Sequence, residues 1–338
     1  QWIPMMLGMT LGLCITLRTG KEVAMFAERR GSNLLEGLDI AAQSWVKYSE
    51  LLLRPTQLSL FYAEPVFSGF SSRALLGLSF VPIAVLLFLW GYRKRNFLFL
   101  FCLLWGFLSF LPTSQISPIQ NLIADRYLLL PGIGFFLMLA IPWRPLLQRY
   151  AILIWTVFLT VHSIERLPLF HSSLSIWLDL TEKEPNEIRG WTMSIGQYLE
   201  ENDIEKAEKL LSTAFVLHPN HPQLLQSQGL IALAKDDLSL AQESFAVAWE
   251  KDDSLRKSAN NLIVIHQKQG NLIAARKLSE ELVQKHPLYS TGWNSFGVTA
   301  LRQSDFHVAE MALTQAMLLA PYSPSVFSNL GDLYYTIK

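Results

Sequence analysis

Hydrophobic and polar positions follow different patterns in the two halves of this 338-residue chain. In the first half, apolar residues form long runs with the charged residues collected between them, and the runs span residues 2–17, 74–91, 97–112, 127–142 and 150–164. Each run is close to the minimum length for a helix that crosses about 30 Å of hydrocarbon. One such run is also typical of the core helix of a soluble protein, but several in close succession favour a polytopic transmembrane helical bundle.

The second half mixes charged and apolar residues with helical periodicity and repeats itself. Four alanines stand 34 residues apart, at Ala207, Ala241, Ala275 and Ala309. A period of 34 residues is typical of tetratricopeptide repeats, in which each unit is a pair of helices. The units are predicted at 188–221, 222–255, 256–289 and 290–323, with a partial unit at 324–338. The predicted fold is therefore all-α, a transmembrane bundle followed by a tetratricopeptide-repeat solenoid.

These patterns divide the chain into a bundle over residues 1–167, a linker over 168–187 and the repeats over 188–338. Residue 1 lies inside an apolar run, and the last repeat stops after one helix. We therefore expect the sequence to be a fragment of a longer protein.

Residues 33–54 form an amphipathic segment that differs from the apolar runs. Its charged residues, Glu36, Asp39, Lys47 and Glu50, lie opposite a helical stripe of Leu35, Leu38, Ala42, Trp45 and Leu52. Charged side chains are expensive inside a bilayer. We expect an interfacial helix with Trp45 and Tyr48 at headgroup level, and a transmembrane helix is the alternative.

Lysine and arginine in the short connections predict the orientation, because positive loops stay on the cytoplasmic side. The cluster Arg93, Lys94 and Arg95 marks one cytoplasmic turn, and Arg144 with Arg149 marks another. This ordering places residues 113–126 and the repeats outside. The protein is then a multi-pass membrane protein whose repeats face the periplasm at the bacterial inner membrane or the lumen of the endoplasmic reticulum.

Charge and composition exclude several other functions. The formal net charge is +0, which removes the basic face that binding of nucleic acid requires. The cysteines, Cys14 and Cys102, lie inside apolar runs, where a thiol behaves as a small hydrophobe. The histidines at the ends of repeat helices do not form a convincing zinc ligand set, so neither a metal nor a cofactor is expected.

The loop before the fourth apolar run holds the candidate chemistry. Asp125, Arg126 and Tyr127 stand where the outer interface meets the next helix, and an ionisable pair at that depth is a functional candidate. Arg126 offers a planar fork of donors suited to a phosphate. Alternatively, Asp125 pairs with Arg126 or caps the helix. Tyr62 and Glu64, in another outer loop, are candidates for the rim of the site.

The stretch LPTSQISPIQNLIADRYLLLPGIGF, residues 111–135, resembles a signature of the transmembrane and tetratricopeptide-repeat O-mannosyltransferase family and its bacterial relatives. The stretch YSELLLRPTQLSLFYAEP, residues 48–65, is similar to an upstream segment of that family. The loop before Asn33 lacks the Asn-Pro element usual in animal members, which leaves the sugar and the acceptor open.

The resemblance implies a C-type glycosyltransferase that moves a sugar, mannose in the named family, from a polyprenyl-phosphate donor to a protein hydroxyl. It implies that Arg126 binds the donor phosphate and that Asp125 orients Arg126, with Tyr127 completing the motif. The catalytic acidic residue of such enzymes would precede Gln1. The full-length protein is then an enzyme, and this fragment lacks its catalytic acid.

Two other functions remain open at this stage. A polymerase or ligase of lipid-linked polysaccharide also joins many helices to external repeats. A non-catalytic scaffold would use the helices as an anchor and the repeats to recruit a partner protein, although five crossings exceed what anchoring requires.

The inner face of the repeats is the predicted binding surface for a polypeptide acceptor or partner. First-helix positions there hold Gln226, Lys257, Asn260, Asn294 and Arg302. Asn260 and Asn294 occupy equivalent places one repeat apart, where their amides suit an extended peptide backbone. Plain solvation of these polar residues is the alternative.

Overall fold

The computed structural model describes residues 34–56, 58–62, 71–110, 123–141 and 145–337. Every regular element in these ranges is a helix, which confirms the all-α class. The chain divides into two compact units, residues 1–187 and 188–338.

The first unit contains six described α-helices: α1 (Leu34–Leu53), α2 (Ser72–Arg93), α3 (Phe97–Phe110), α4 (Leu129–Ala140), α5 (Pro145–Arg166) and α6 (Ser173–Lys183). Short 3₁₀ helices at Asp125–Leu128 and Leu167–His171 precede α4 and follow α5. Residues 168–187, predicted as a linker, are mostly helical and belong to this unit. Lys183 Nζ donates to the Leu58 carbonyl at 3.1 Å, and the Trp177 ring stacks on Phe61.

Small residues fill the contacts between these helices, and large apolar residues face outward. The buried residues of α2 are Ala74, Gly77 and Gly91, whereas Leu75 and Leu86 are 58% and 65% exposed. A Cβ atom at Gly77 would overlap the Ala42 carbonyl of α1. Soluble helices normally bury their large apolar side chains, so α2 has the opposite arrangement.

Within the described residues, two segments are long and apolar enough to cross a membrane, Ser72–Arg93 and Leu146–His171. Helices α3 and α4 have 14 and 12 residues, which is about 21 Å and about 18 Å of helix. Both are shorter than the hydrocarbon core. The five predicted crossings therefore stay a prediction, and the first of them, residues 2–17, lies outside the described residues.

Helix α1 differs from the predicted interfacial helix, because two of its polar side chains turn inward. Asp39 is fully buried and accepts from Gln43 Nε2 at 2.7 Å, while Leu35 is 57% exposed. Tyr48, predicted at headgroup level, is also buried, in a cluster with Tyr62. Tyr48 accepts the Ala124 N–H inside the unit, and Gln43 satisfies one Asp39 oxygen, while the other, Oδ1, has no hydrogen-bond partner among the described residues.

The second unit is a row of helix pairs followed by a single helix: α7 (Ile188–Glu200), α8 (Ile204–Leu217), α9 (Pro222–Ala234), α10 (Leu238–Lys251), α11 (Arg256–Lys268), α12 (Leu272–Lys285), α13 (Ser290–Arg302), α14 (Phe306–Leu319) and α15 (Pro324–Ile337). These pairs match the predicted units and confirm the tetratricopeptide repeats.

The turn inside each pair uses the same local device. A residue with positive φ ends the turn, at Asn202, Asp236, Gly270 and Ser304. The next residue caps the second helix with its side-chain oxygen, at Asp203, Asp237, Asn271 and Asp305. Such caps satisfy backbone N–H groups that the helix leaves unpaired. The 34-residue period therefore appears in the turn residues as well as in the core residues.

The four alanines that define the period are fully buried where the paired helices meet. Glycine allows the close approach in two of the pairs. A Cβ at Gly229 would lie 2.7 Å from the Phe245 ring, and one at Gly297 would lie 2.6 Å from Leu313 Cγ.

Candidate functional site

The predicted loop residues lie in the 3₁₀ turn Asp125–Leu128, at the start of α4. A buried apolar cluster that includes Tyr48, Tyr62 and Ile123 supports this turn, and Tyr127 packs against it. The Ala124 N–H donates to the Tyr48 hydroxyl at 3.4 Å. Helix α1 and the loop after it therefore hold the turn in position.

The Asp125 carboxylate has two partners, and neither is Arg126. The Tyr62 hydroxyl donates to Asp125 Oδ1, and Arg166 Nη1 lies 3.9 Å from Oδ2. Tyr62 also accepts the Ser59 N–H at 2.9 Å, and Lys47 Nζ lies 4.9 Å from the centre of the Tyr62 ring. These contacts therefore do not support the predicted role of Asp125 in orienting Arg126.

Burial sets the electrostatics of this pair, which lies outside the apolar runs. Loss of solvation raises the pKa of the Asp125 carboxyl, against the lowering effects of the Tyr62 hydrogen bond and the cations Arg166, Lys183 and Lys47. Burial, followed by the charge of Asp125, raises the pKa of Tyr62 well above its usual range. Tyr62 is therefore a permanent donor to Asp125 at neutral pH.

The Arg126 side chain is exposed, and its guanidinium lies 5.0 Å from the centre of the Tyr127 ring. It makes neither a hydrogen bond nor an ion pair with any residue that the structure describes. Stacking on an aromatic ring orients a guanidinium while leaving its N–H donors unused. Arg126 is thus available to an anionic group.

Arg166, the last residue of α5, is a part of this site that sequence reasoning missed. Its side chain is 22% exposed, and its Nε is buried without a hydrogen-bond partner in the described part of the chain. The sequence did contain a signal for this contact. The predicted topology places the end of the apolar run 150–164 on the same side of the membrane as the start of the run 127–142. Arg166, after the first of these runs, can then contact Asp125, before the second.

A pocket of about 370 Å³ opens beside the turn, and we call it the polar pocket because charged side chains line it together with large apolar ones. It is lined by Ser59, Leu60, Asp125, Arg126, Arg166, Leu169, Phe170, Ser173, Ile176, Trp177 and Asp179. Of the predicted site residues, it brings together Asp125 and Arg126. Tyr127 packs in the supporting cluster, Tyr62 reaches the site through Asp125, and Glu64 lies outside the described residues.

An apolar groove of about 350 Å³ borders the same turn on helices α1 to α4. Its lining is Trp45, Tyr48, Ser49, Leu52, Phe80, Val81, Ala84, Cys102, Leu103, Gly106, Phe107, Leu128, Pro131, Gly134, Phe135 and Met138. Leu128 belongs to the groove, and Asp125 and Arg126 belong to the polar pocket. One four-residue turn thus has a charged end and an apolar end, each beside a cavity of matching character.

On the repeats, three of the predicted binding residues join successive first helices. Gln226 Oε1 accepts from Ser258 Oγ at 2.9 Å, and Asn260 Oδ1 accepts from Ser295 Oγ at 2.7 Å. Asn294 Oδ1 accepts from Asn329 Nδ2 at 2.8 Å. We call these three contacts the ladder. In the ladder, the amide oxygens of Gln226, Asn260 and Asn294 hold neighbouring repeats together.

The other two predicted binding residues differ from each other. Arg302 donates to the Gln267 carbonyl at 3.0 Å, so it also links neighbouring repeats, while Lys257 is exposed. Sequence reasoning missed the partners Ser258, Ser295 and Asn329. Over the part of the chain that the structure describes, no group of three His, Cys, Asp or Glu side chains is placed to hold a metal.

No protein-family model matches this chain, and no curated protein matches it. Several solved structures are similar to part of it. PilF of Pseudomonas aeruginosa is 20% identical, with a TM-score of 0.40, over 43% of this chain and 67% of that one. PilW, described as a widely conserved type IV pilus biogenesis factor, is 17% identical, with a TM-score of 0.40, over 43% and 68%. YrrB, described as a TPR protein with an unusual peptide-binding site, is 14% identical, with a TM-score of 0.37, over 51% and 86%. The assignment of the repeats depends on the helix pairs and turns of the chain itself.

Proposed function

We propose that the full-length protein is a membrane glycosyltransferase. It moves a sugar, which is mannose in the family that the sequence resembles, from a polyprenyl-phosphate donor to a hydroxyl of a protein acceptor. The first unit lies in the bilayer and binds the donor, and the repeats bind the acceptor polypeptide on the periplasmic or lumenal side.

The exposed apolar surface of the first unit supports its insertion into a bilayer. Ile154 of α5 is 70% exposed and Phe97 of α3 is 72% exposed, in addition to the outward-facing residues of α2. A monomeric soluble protein rarely exposes continuous apolar surface on this scale. Small residues at helix contacts, such as Gly77 and Gly134, are typical of helices that pack in lipid.

The observation that carries the proposal is the Arg126 guanidinium, which has no ion pair among the described residues and lines one cavity, while Leu128 of the same turn lines the other. The donor has a charged, sugar-bearing head and a long hydrocarbon tail. The polar pocket with Arg126 suits the phosphate and sugar, and the apolar groove beside Leu128 suits the tail. A charge-assisted contact from a planar guanidinium to phosphate oxygens is strong and directional.

The ladder on the repeats supports binding of a polypeptide of varied sequence. The Gln226, Asn260 and Asn294 oxygens are used within the array. Amide N–H₂ groups donate to carbonyl oxygens, and the backbone carbonyls of an extended peptide are the same in every sequence. The repeats then recognise an acceptor mainly through its backbone.

The test is sugar transfer by the full-length protein in membranes, from a labelled polyprenyl-phosphate mannose to an acceptor polypeptide. Arg126→Ala removes the phosphate contact, and we expect transfer to fall at least tenfold, since a hydrogen bond to a charged group is worth about 1.5–3 kcal/mol. Arg149→Ala is the matched control, because Arg149 is an exposed arginine at the other end of α5.

Equal transfer by wild type and Arg126→Ala, with Arg149→Ala also unchanged, would remove the role of Arg126. If the wild type transfers no sugar and the repeats still retain a partner protein, the scaffold function replaces this proposal.

A further inference from the structure

Arg166 is incompletely satisfied for a largely buried cation. Its Nε has no hydrogen-bond partner among the residues that the structure describes, and its Nη1 is 3.9 Å from Asp125 Oδ2. A charge-assisted N–H···O bond measures about 2.7–2.9 Å, so the Asp125 contact is an ion pair without a hydrogen bond. Leaving a buried charged donor unsatisfied is unfavourable, and a ligand in the pocket would relieve this.

The charges in and beside the polar pocket are also unbalanced. Arg126, Arg166, Asp125 and Asp179 line the pocket. Lys47 and Lys183 lie close enough to act on Asp125, and Lys183 pairs with Asp179 at 2.7 Å. These groups comprise four cations and two carboxylates. Positive charge in excess in a partly buried site favours an anion. The phosphodiester of the donor carries about one negative charge, and the polyprenyl monophosphate that sugar transfer releases carries about two.

We infer that Arg166 is a second ligand for the donor phosphate, acting with Arg126. This inference rests on the proposed function and adds a residue and a geometry to it. Arg126 reaches the phosphate from the turn before α4, and Arg166 reaches it from the end of α5. Two planar guanidinium groups on separate elements fix both the position and the orientation of a tetrahedral phosphate. The ion pair with Asp125 holds Arg166 beside the pocket.

The experiment measures binding of an undecaprenyl monophosphate probe, and of undecaprenol, to the purified full-length protein in detergent. Undecaprenol has the same tail without the phosphate. We expect Arg166→Ala to weaken binding of the monophosphate by about tenfold or more and to leave binding of undecaprenol unchanged. Arg166→Lys keeps the charge without the fork of donors, so its affinity should be intermediate.

Asp125→Asn separates phosphate binding from a merely structural role of Arg166. If Arg166 acts only by pairing with Asp125, then Asp125→Asn and Arg166→Ala weaken binding to the same extent. If Arg166 binds the phosphate, Asp125→Asn binds the monophosphate as tightly as wild type or more tightly, because a repelling carboxylate has been removed. Unchanged binding of undecaprenol reports that each variant is folded.

The two proposals fail in different ways. Normal binding of the monophosphate by Arg166→Ala, with weak binding by Arg126→Ala, overturns the role of Arg166 and leaves the proposed function standing. Weak binding by Asp125→Asn, equal to that of Arg166→Ala, also overturns it. If wild type binds the monophosphate no better than undecaprenol, both proposals fail.

Discussion

At the scale of single residues, Asp125 and Arg126 are neighbours in the chain with separate partners. Asp125 turns toward Tyr62 and Arg166, and Arg126 stacks on Tyr127. The local motif indicated that this turn carries charge, but it did not indicate that the two charges are used apart. An acidic residue next to an arginine in the sequence suggests that the two form an ion pair. Here Asp125 instead contacts Tyr62 and Arg166, which are distant from it in the chain.

Burial of Asp125 predicts a stability effect that depends on pH. Its pKa is raised above the ordinary value of 3.8, so its contribution to stability is fully present below pH 3.8 and is lost as pH rises through the folded-state pKa. At pH 7 the ionised carboxylate is therefore unfavourable. We expect Asp125→Asn to raise the thermal midpoint in detergent at pH 7.

The gain should shrink as pH falls through the folded-state pKa of Asp125 toward 3.8, since wild type then carries a neutral acid at this position as well. Thermal unfolding at pH 7 and near pH 4 measures the difference. A lower midpoint for Asp125→Asn at pH 7 would mean that the ion pair with Arg166 outweighs the burial of the carboxylate.

At the scale of elements, the repeats are predictable because their packing is local. Each helix pair contacts mainly its neighbours in such an array, so one set of positions recurs every 34 residues. The capping residues after each turn and the buried alanines were visible as periodic residue types. The register of the ladder on the inner face was less visible, since Ser258 and Ser295 resemble ordinary polar residues.

Gly297 and Gly331 occupy the same position in successive repeats, and we expect alanine to have opposite effects at the two sites. Gly297→Ala places a Cβ 2.6 Å from Leu313 Cγ, while Gly331 has no atom within 4 Å of the same position. Overpacking costs about 1–3 kcal/mol, and alanine gains about 1 kcal/mol over glycine in a helix. We expect Gly297→Ala to destabilise α13 and α14, and Gly331→Ala to stabilise α15 or leave it unchanged.

Hydrogen exchange of the helical amides in the full chain measures both effects. Faster exchange in α13 and α14 for Gly297→Ala, beside unchanged or slower exchange in α15 for Gly331→Ala, is the expected result. Equal protection in the two variants would show that Leu313 moves aside at little cost.

At the scale of the whole molecule, the proposal depends on which side of the membrane each part occupies. The turn at Lys94 is predicted on the cytoplasmic side, and the repeats are predicted on the outer side. Lys94 and Glu201 are both exposed in the structure, so a cysteine at either position is accessible to reagents on its own side.

We expect Glu201→Cys to react with a membrane-impermeant maleimide in intact cells, and Lys94→Cys to react only after permeabilisation. Both variants are made in a background in which Cys14 and Cys102 are replaced by serine. Labelling of Lys94→Cys but not Glu201→Cys in intact cells would reverse the topology and exclude an outward-facing acceptor arm.

The sequence by itself determined the all-α class, the repeat period and the apolar character of the first half, because each of these follows from local periodicity and composition. It also identified Asp125 and Arg126, since charged residues beside long apolar runs are conspicuous. Only the tertiary structure decided that Asp39 and Tyr48 face inward and that Asp125 meets Tyr62 and Arg166. Such contacts join residues far apart in the chain, and they depend on how the helices pack rather than on any pattern within one helix.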